Sequence, residues 1–214
     1  MDCCQREGIE TRFDQKYVAK KLERYREKGP KESTRMLIDA LKDASVHEMT
    51  LLDIGGGIGD IQHELFEAGV TESINCEASS SYIDACKEEA ERGGHGAQVT
   101  HIKGDFVDVV DRIPSADITT LDRVICCYHD MPKLVSMSLA KTRKLYGFVI
   151  PIDKWWLKTV ISIYYNLRFL LQRNPFRVFV HSTEALEKLM IRSGFRSIFS
   201  QVKGTWLISV YEKI

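Results

Sequence analysis

Apolar residues along this chain fall into two kinds of run, short unbroken ones and longer ones with helical spacing. Met49 to Ile54 has no polar break until its end and predicts a strand buried on both faces. Similar runs predict strands at Ser73–Ala78, Val99–Lys103, Asp117–Leu121 and Leu145–Pro151, and a closing hairpin-like pair at Ile198–Val202 and Thr205–Tyr211. Between them the period lengthens. Phe13, Tyr17, Val18, Leu22 and Tyr25 predict a helix over Phe13–Lys28, ended by Gly29-Pro30. Further helices are expected over Thr34–Lys42, Gly59–Ala68, Ser80–Arg92, Met131–Leu139 and Lys154–Gln172, and from the cap Ser182 to Met190. Arg177–His181 is expected to be a short extended piece. The alternation predicts an α/β, doubly wound, mostly parallel seven-stranded sheet, with helices on both faces and an antiparallel last strand.

The first strand runs straight into glycines. Asp53 is followed by Gly55, Gly56, Gly57 and Gly59, and a helix opens at once. Without Cβ atoms the backbone can turn tightly and lay its amides against a ligand, while the helix N-terminus adds free N–H groups. A nicotinamide or flavin fingerprint needs Gly-x-Gly-x-x-Gly, and here its third position is Asp60 or Gln62. No Lys-Ser or Lys-Thr follows, so the P-loop fails too.

The order hydrophobic-hydrophobic-Asp53-x-Gly55-x-Gly57-x-Gly59 instead resembles the first motif of class I, Rossmann-like, S-adenosylmethionine-dependent methyltransferases. That resemblance implies S-adenosylmethionine as cofactor, bound by Asp53 and the four glycines. It implies further contacts from Glu77 and Ala78 to the ribose side, from Asp105 and Phe106 to the adenine, and from Leu121 and Asp122 after the fourth strand. It covers about residues 45–150. In outline, Leu121-Asp122, the helix inserted after strand five and His181 ahead of the last helix resemble the porphyrin O-methyltransferase branch. The domain organisation implied is a helical cap over 1–44 and a methyltransferase domain over 45–214, with a lid helix inserted at about 153–174.

Methyl transfer from a sulfonium is a displacement that needs alignment and sometimes a base. Tyr128, His129 and Asp130 follow the fourth strand, where an acceptor would sit. His129 or Asp130 is the expected base or acceptor ligand, and Tyr128 a pocket wall. Motifs of the Asn-Pro-Pro-Tyr kind, which serve exocyclic amines, are absent. A small-molecule acceptor with apolar bulk, methylated on oxygen or nitrogen, is therefore expected. A catalytically silent S-adenosylmethionine-binding protein and a nucleic-acid methyltransferase are the alternatives.

Composition narrows this further. Thirty basic residues balance thirty acidic ones, which argues against nucleic acid as a partner even though residues 16–35 are locally basic. Cys3-Cys4, Cys76, Cys86 and Cys126-Cys127 lack metal or redox spacing, so no metal is expected and reduced thiols in a cytoplasmic protein are. A thiophilic site from the two vicinal pairs is the minor alternative. No leader with an apolar core is apparent. No run spans a bilayer, because Lys158, Asn166 and Arg168 interrupt the most apolar one. That segment, 154–172, has two tryptophans at one end and basic flanks, so membrane-surface contact is a further expectation.

Overall fold

The computed structural model describes residues 3–214, and the side chains of all of these except residues 3–6, 162 and 165. Three helices come first: α1 (Cys3–Arg12), α2 (Gln15–Lys28) and α3 (Glu32–Asp43). Then follow β1 (Thr50–Ile54), α4 (Asp60–Phe66), β2 (Glu72–Glu77), α5 (Ser80–Arg92), β3 (Val99–Lys103), α6 (Phe106–Val109) and β4 (Ala116–Asp122). The second half comprises α7 (Met131–Ala140), β5 (Thr142–Pro151), α8 (Trp155–Val160), a π-helical turn (Ile161–Asn166), α9 (Leu167–Leu171), α10 (Thr183–Arg192), β6 (Phe195–Lys203) and β7 (Trp206–Lys213).

The seven strands pair in the order β3-β2-β1-β4-β5-β7-β6. Only β7 runs against its neighbours, pairing antiparallel with both β5 and β6. The expected sheet and its antiparallel last strand are therefore present. Alternation along the strands divides the core. Leu51, Leu145 and Val149 face one layer with Leu37, Ile38 and Leu41 of α3 and Ile61 and Leu65 of α4. Leu52, Tyr146, Phe148 and Ile150 face the other, against Leu134 and Val135 of α7 and Leu186 and Met190 of α10. α3 is thus a core helix, and α1 and α2 are the pieces that stand over the carboxyl edge of the sheet.

Three expectations are corrected. Helix begins ahead of Phe13: α1 ends at Arg12, and the Asp14 side chain starts α2 by accepting from the Tyr17 N–H at 2.8 Å. Arg177–His181 forms no strand, because only one backbone bond, Phe179 N–H to the Cys126 carbonyl at 2.7 Å, ties it to its neighbour. The 154–172 helix is continuous in direction but contains the π turn at its middle. Among the described residues no helix is long and apolar enough to cross a membrane.

Candidate active site

Where β1 and β4 lie side by side, the chain leaves their carboxyl ends in opposite directions, toward β2 and toward β5. Such a switch point opens a crevice in a parallel sheet. Here it is a cleft of ≈ 540 Å³, inside the range of roughly 300–1,000 Å³ common for ligand pockets. Asp53, Glu77, Asp105 and Asp122, from the ends of four adjacent strands, all line it.

Gly55, Gly57 and Gly59 all sit at positive φ (64°, 60° and 83°), which lets β1 reverse into α4 within a few residues. Gly56 serves by its lack of bulk. A Cβ there would stand 2.6 Å from Asp53 Oδ2 and from Gln62 Nε2, and 2.7 Å from Asn75 Oδ1. Gly55, Gly56 and Gly57 line the cleft, whereas Gly59 sits behind it as the N-cap of α4.

Asp53 is turned inward. Its carboxylate accepts from Gln62 Nε2 at 3.0 Å and from the Thr120 hydroxyl at 2.7 Å. Burial pushes its pKa up to about 7, against the pull of those two donors. Glu77 is held by backbone instead: Oε2 accepts from the Gly57 N–H at 3.1 Å and Oε1 from the Ser79 N–H at 2.9 Å. Burial raises its pKa, and the backbone donors work the other way. Asp105 caps α6 through the Val107 N–H and accepts from the Tyr128 hydroxyl at 3.2 Å, so Tyr128 walls the cleft beside it. Burial, then the Asp105 charge, pushes the Tyr128 phenol well above its ordinary range.

Asp122 shows what the cleft lacks. Its Oδ2 accepts from Thr34 Oγ1 at 2.7 Å and from Arg123 Nη1 at 2.8 Å, but Oδ1 is buried with no hydrogen-bond partner. A buried carboxylate oxygen left bare costs on the order of 1–3 kcal/mol or more, so the site calls for a donor such as an ammonium. Lys21 of α2 supplies the opposite charge. Its Nζ lies 4.8 Å from the Tyr82 ring centre and close enough to Gly57 that a Cβ there would be 2.9 Å away. Burial would lower the Lys21 pKa, but Asp60, Tyr82 and Asp122 outweigh it and keep the side chain charged. An orphaned acceptor, a half-buried cation beside the glycine turn and a strand-end glutamate together fit the zwitterionic end and ribose of S-adenosylmethionine.

Arg123 is the one strained residue at this edge, with φ 61° for a side chain that carries a Cβ. Its backbone N–H donates to the Val149 carbonyl at 3.0 Å, and its guanidinium lies 4.9 Å from the Trp206 ring centre and bonds Asp122, Thr34 and Ser33. Lys31, at the start of α3, also lines the cleft, and burial, with Arg123 nearby, lowers its pKa.

Beyond the charged edge the cleft becomes apolar. Ile9 and Phe13, Phe169 of α9, and Phe176 and Val178 after it close around Cys127. Leu157 and Ile161 continue the wall toward Pro151 at the end of β5. Asn166 ties this helical segment to the chain after it: its Nδ2 donates to the Val178 carbonyl at 2.9 Å and its Oδ1 accepts from the Val178 N–H at 3.0 Å.

The structure separates the remaining residues singled out in the sequence. Ala78 and Phe106 line the cleft, while Leu121 is wholly buried in the core behind it. His129 and Asp130 are exposed and do not line it. Asp130 caps α7 by accepting from the Lys133 N–H at 3.1 Å, and the His129 ring lies edge-on to Phe179 at 5.6 Å. No histidine lines the cleft. Cys126 and Cys127 place their sulfurs 3.9 Å apart, with both thiols donating to the Arg123 carbonyl. Among the described residues no group of three or more His, Cys, Asp or Glu could hold a metal, and the side chains of Cys3 and Cys4 lie outside the description. Lys21, Lys31 and Trp206 are not predicted as site residues from the sequence, and Arg123 only as part of the segment after the fourth strand. Lys21 carried a signal, since it shares the helix stripe of Val18, Leu22 and Tyr25 where a solvated lysine has no place.

Comparison with known proteins gives the family and the fold. Residues 6–150 match the family model of an O-methyltransferase domain, a match that ends before the 154–172 helix. No curated protein matches. Among solved structures, magnesium protoporphyrin IX methyltransferase from Synechocystis, with bound S-adenosylhomocysteine, superposes with a TM-score of 0.67 at 14% identity, over 92% of this chain and 96% of that one. An O-methyltransferase family protein from Burkholderia thailandensis gives 0.70 at 10% identity, over 96% of this chain and 62% of that one. Mitomycin 7-O-methyltransferase gives 0.63 at 17% identity, over 95% and 59%. At these identities the likeness is one of fold.

Proposed function

The chain belongs to the O-methyltransferase domain family and is an S-adenosylmethionine-dependent methyltransferase, and from that premise we propose that it methylates an oxygen of a small acceptor with apolar bulk. One observation carries the reading. The cleft runs from a charged edge suited to the cofactor into an apolar chamber under the lid, with no histidine on its walls. S-adenosylmethionine, when bound, supplies a methyl group on a positively charged sulfur.

The chain's own residues have the remaining tasks. Gly57 and Glu77 would orient the ribose end, and the orphaned Asp122 Oδ1 and the Lys21 ammonium would hold an amino-acid zwitterion. Asp105 and Phe106 border the adenine side. Ile9, Phe13, Phe169 and Phe176 exclude water and align the acceptor. His129 and Asp130 have no part in this scheme, because they stand outside the cleft. With no imidazole at hand, the acceptor oxygen should ionise readily by itself, as in a carboxylic acid or an acidic phenol. Lys31 and Arg123, at the cleft's rim, would favour that anion. In the same reading α1 and α2 act as the cap and residues 153–174 as the lid.

The test is methyl transfer from S-adenosylmethionine to a panel of apolar carboxylic acids and phenols, with matched amines as controls, read by mass spectrometry. Methyl esters or ethers are expected. Methylated amines alone, or no product from any acceptor while S-adenosylhomocysteine still binds, would overturn the oxygen reading.

A further inference from the structure

The lid is apolar on both sides. Leu157, Ile161 and Phe169 face the cleft, but a second stripe points away from the protein. Trp156, Val160, Ile163, Leu167 and Leu170 follow one another at alternating steps of four and three residues, the spacing of one helix face. Ile163 is 61% exposed, and Trp155 and Leu171 at the two ends are 79% and 77% exposed. Nothing in the fold needs this stripe, and an apolar patch of this extent marks an interaction surface.

Its charge setting chooses the partner. From Lys154 to Thr183 the chain has five basic residues, Lys154, Lys158, Arg168, Arg173 and Arg177, and no acidic one, although the whole chain balances at thirty of each sign. Lys158 pairs with Asp153 at 2.6 Å, just outside the segment, and Arg177 bonds backbone carbonyls. Lys154, Arg168 and Arg173 are exposed beside the stripe. A second copy of this helix would set cations against cations. A flat negative surface with an apolar interior satisfies both features, and tryptophans at one end suit the headgroup boundary of a bilayer.

We propose that the outer face of the 154–171 lid docks this protein onto anionic lipid membranes, lying in the headgroup plane without crossing the bilayer. This docking does not rest on the methyl-transfer reading, and the two fail separately.

The experiment is sedimentation of the full chain with phosphatidylcholine vesicles, with and without phosphatidylglycerol, at low and high salt, with S-adenosylhomocysteine binding measured in parallel. Binding to the anionic vesicles is expected, lost in high salt and weak on phosphatidylcholine alone. Leu167→Ser with Leu171→Ser should weaken it on the order of a hundredfold, and Arg168→Glu with Lys154→Glu should abolish the preference for anionic lipid. Neither pair lines the cleft, so S-adenosylhomocysteine binding should be unchanged, which also certifies the fold. No sedimentation with anionic vesicles at low salt would overturn the proposal. So would equal binding to both vesicle types, or a dimer by analytical ultracentrifugation that the Leu167→Ser, Leu171→Ser pair dissolves.

Discussion

At position 77 a buried carboxylate is aimed by three backbone N–H groups, those of Gly57, Ala78 and Ser79. Glu77→Gln keeps the volume but turns an amide toward donors. It is expected to weaken S-adenosylhomocysteine binding about tenfold to a hundredfold, roughly 1.4–2.7 kcal/mol, by calorimetric titration. Unchanged affinity would remove Glu77 from the cofactor site. Asp53 makes a prediction of another kind. Its folded-state pKa of about 7 stands above the ordinary 3.8 because burial disfavours the charge. The folded state therefore holds this proton more tightly than the unfolded one. Stability from that proton is complete at acid pH and is lost as pH rises through about 7. Urea midpoints should fall between about pH 4 and pH 7 and level off above that, and Asp53→Asn should flatten that fall. A steeper fall in the variant would contradict the assignment.

Elements differ in how far the sequence announces them. β1, β4 and β5 are legible because each is largely apolar and buried on both faces, β2 and the half-exposed edge strand β3 are legible from their place in the alternation, and Gly55 to Gly59 mark the turn that begins the site. α1 is not legible, because in CCQREGIETR only Ile9 among the described side chains is buried, and the helix is positioned by tertiary contact. Glu10 provides part of that contact, accepting from the Ser80 N–H at 3.1 Å and from its hydroxyl at 2.7 Å. Asp130 fits a catalytic role by its place after the fourth strand, yet an Asp before a Met-Pro helix start serves equally as a cap, and local pattern does not separate the two. The lid depends on Asn166 and Val178, a pairing across loop residues with no periodic signal. Asn166→Ala removes both bonds, so amide exchange at Val178 should speed up roughly tenfold with the sheet unaffected. At the opposite edge of the sheet, Asp117 joins β1, β4 and β5 through the Thr50 N–H at 3.1 Å and the Arg143 Nε at 3.1 Å. Arg143 holds its carboxyl well below the ordinary range, so its contribution is present at neutral pH and is lost as pH falls below about 4. Asp117→Asn should cost about 1–3 kcal/mol at neutral pH and much less in acid, by urea denaturation.

Across the whole molecule, the cleft is assembled from parts far apart in the chain: α1 and α2, the glycine turn, the ends of β2 to β4, and the lid. A ligand bridging these parts adds its binding free energy to the folded state alone, about 2.7 kcal/mol when present at one hundred times its dissociation constant. The same assembly explains why the acceptor side was least legible in sequence. In the proposed reading the cofactor edge is built from strand ends at regular positions, while the acceptor chamber comes from α1 and from the 153–174 segment beyond the matched 6–150 region. The most direct test is a calorimetric titration of the purified chain with S-adenosylhomocysteine, paired with a thermal melt. Saturable heat with one site per chain, micromolar affinity and a raised melting temperature are predicted. No heat and no shift with S-adenosylhomocysteine, or a shift with NAD in its place, would contradict it.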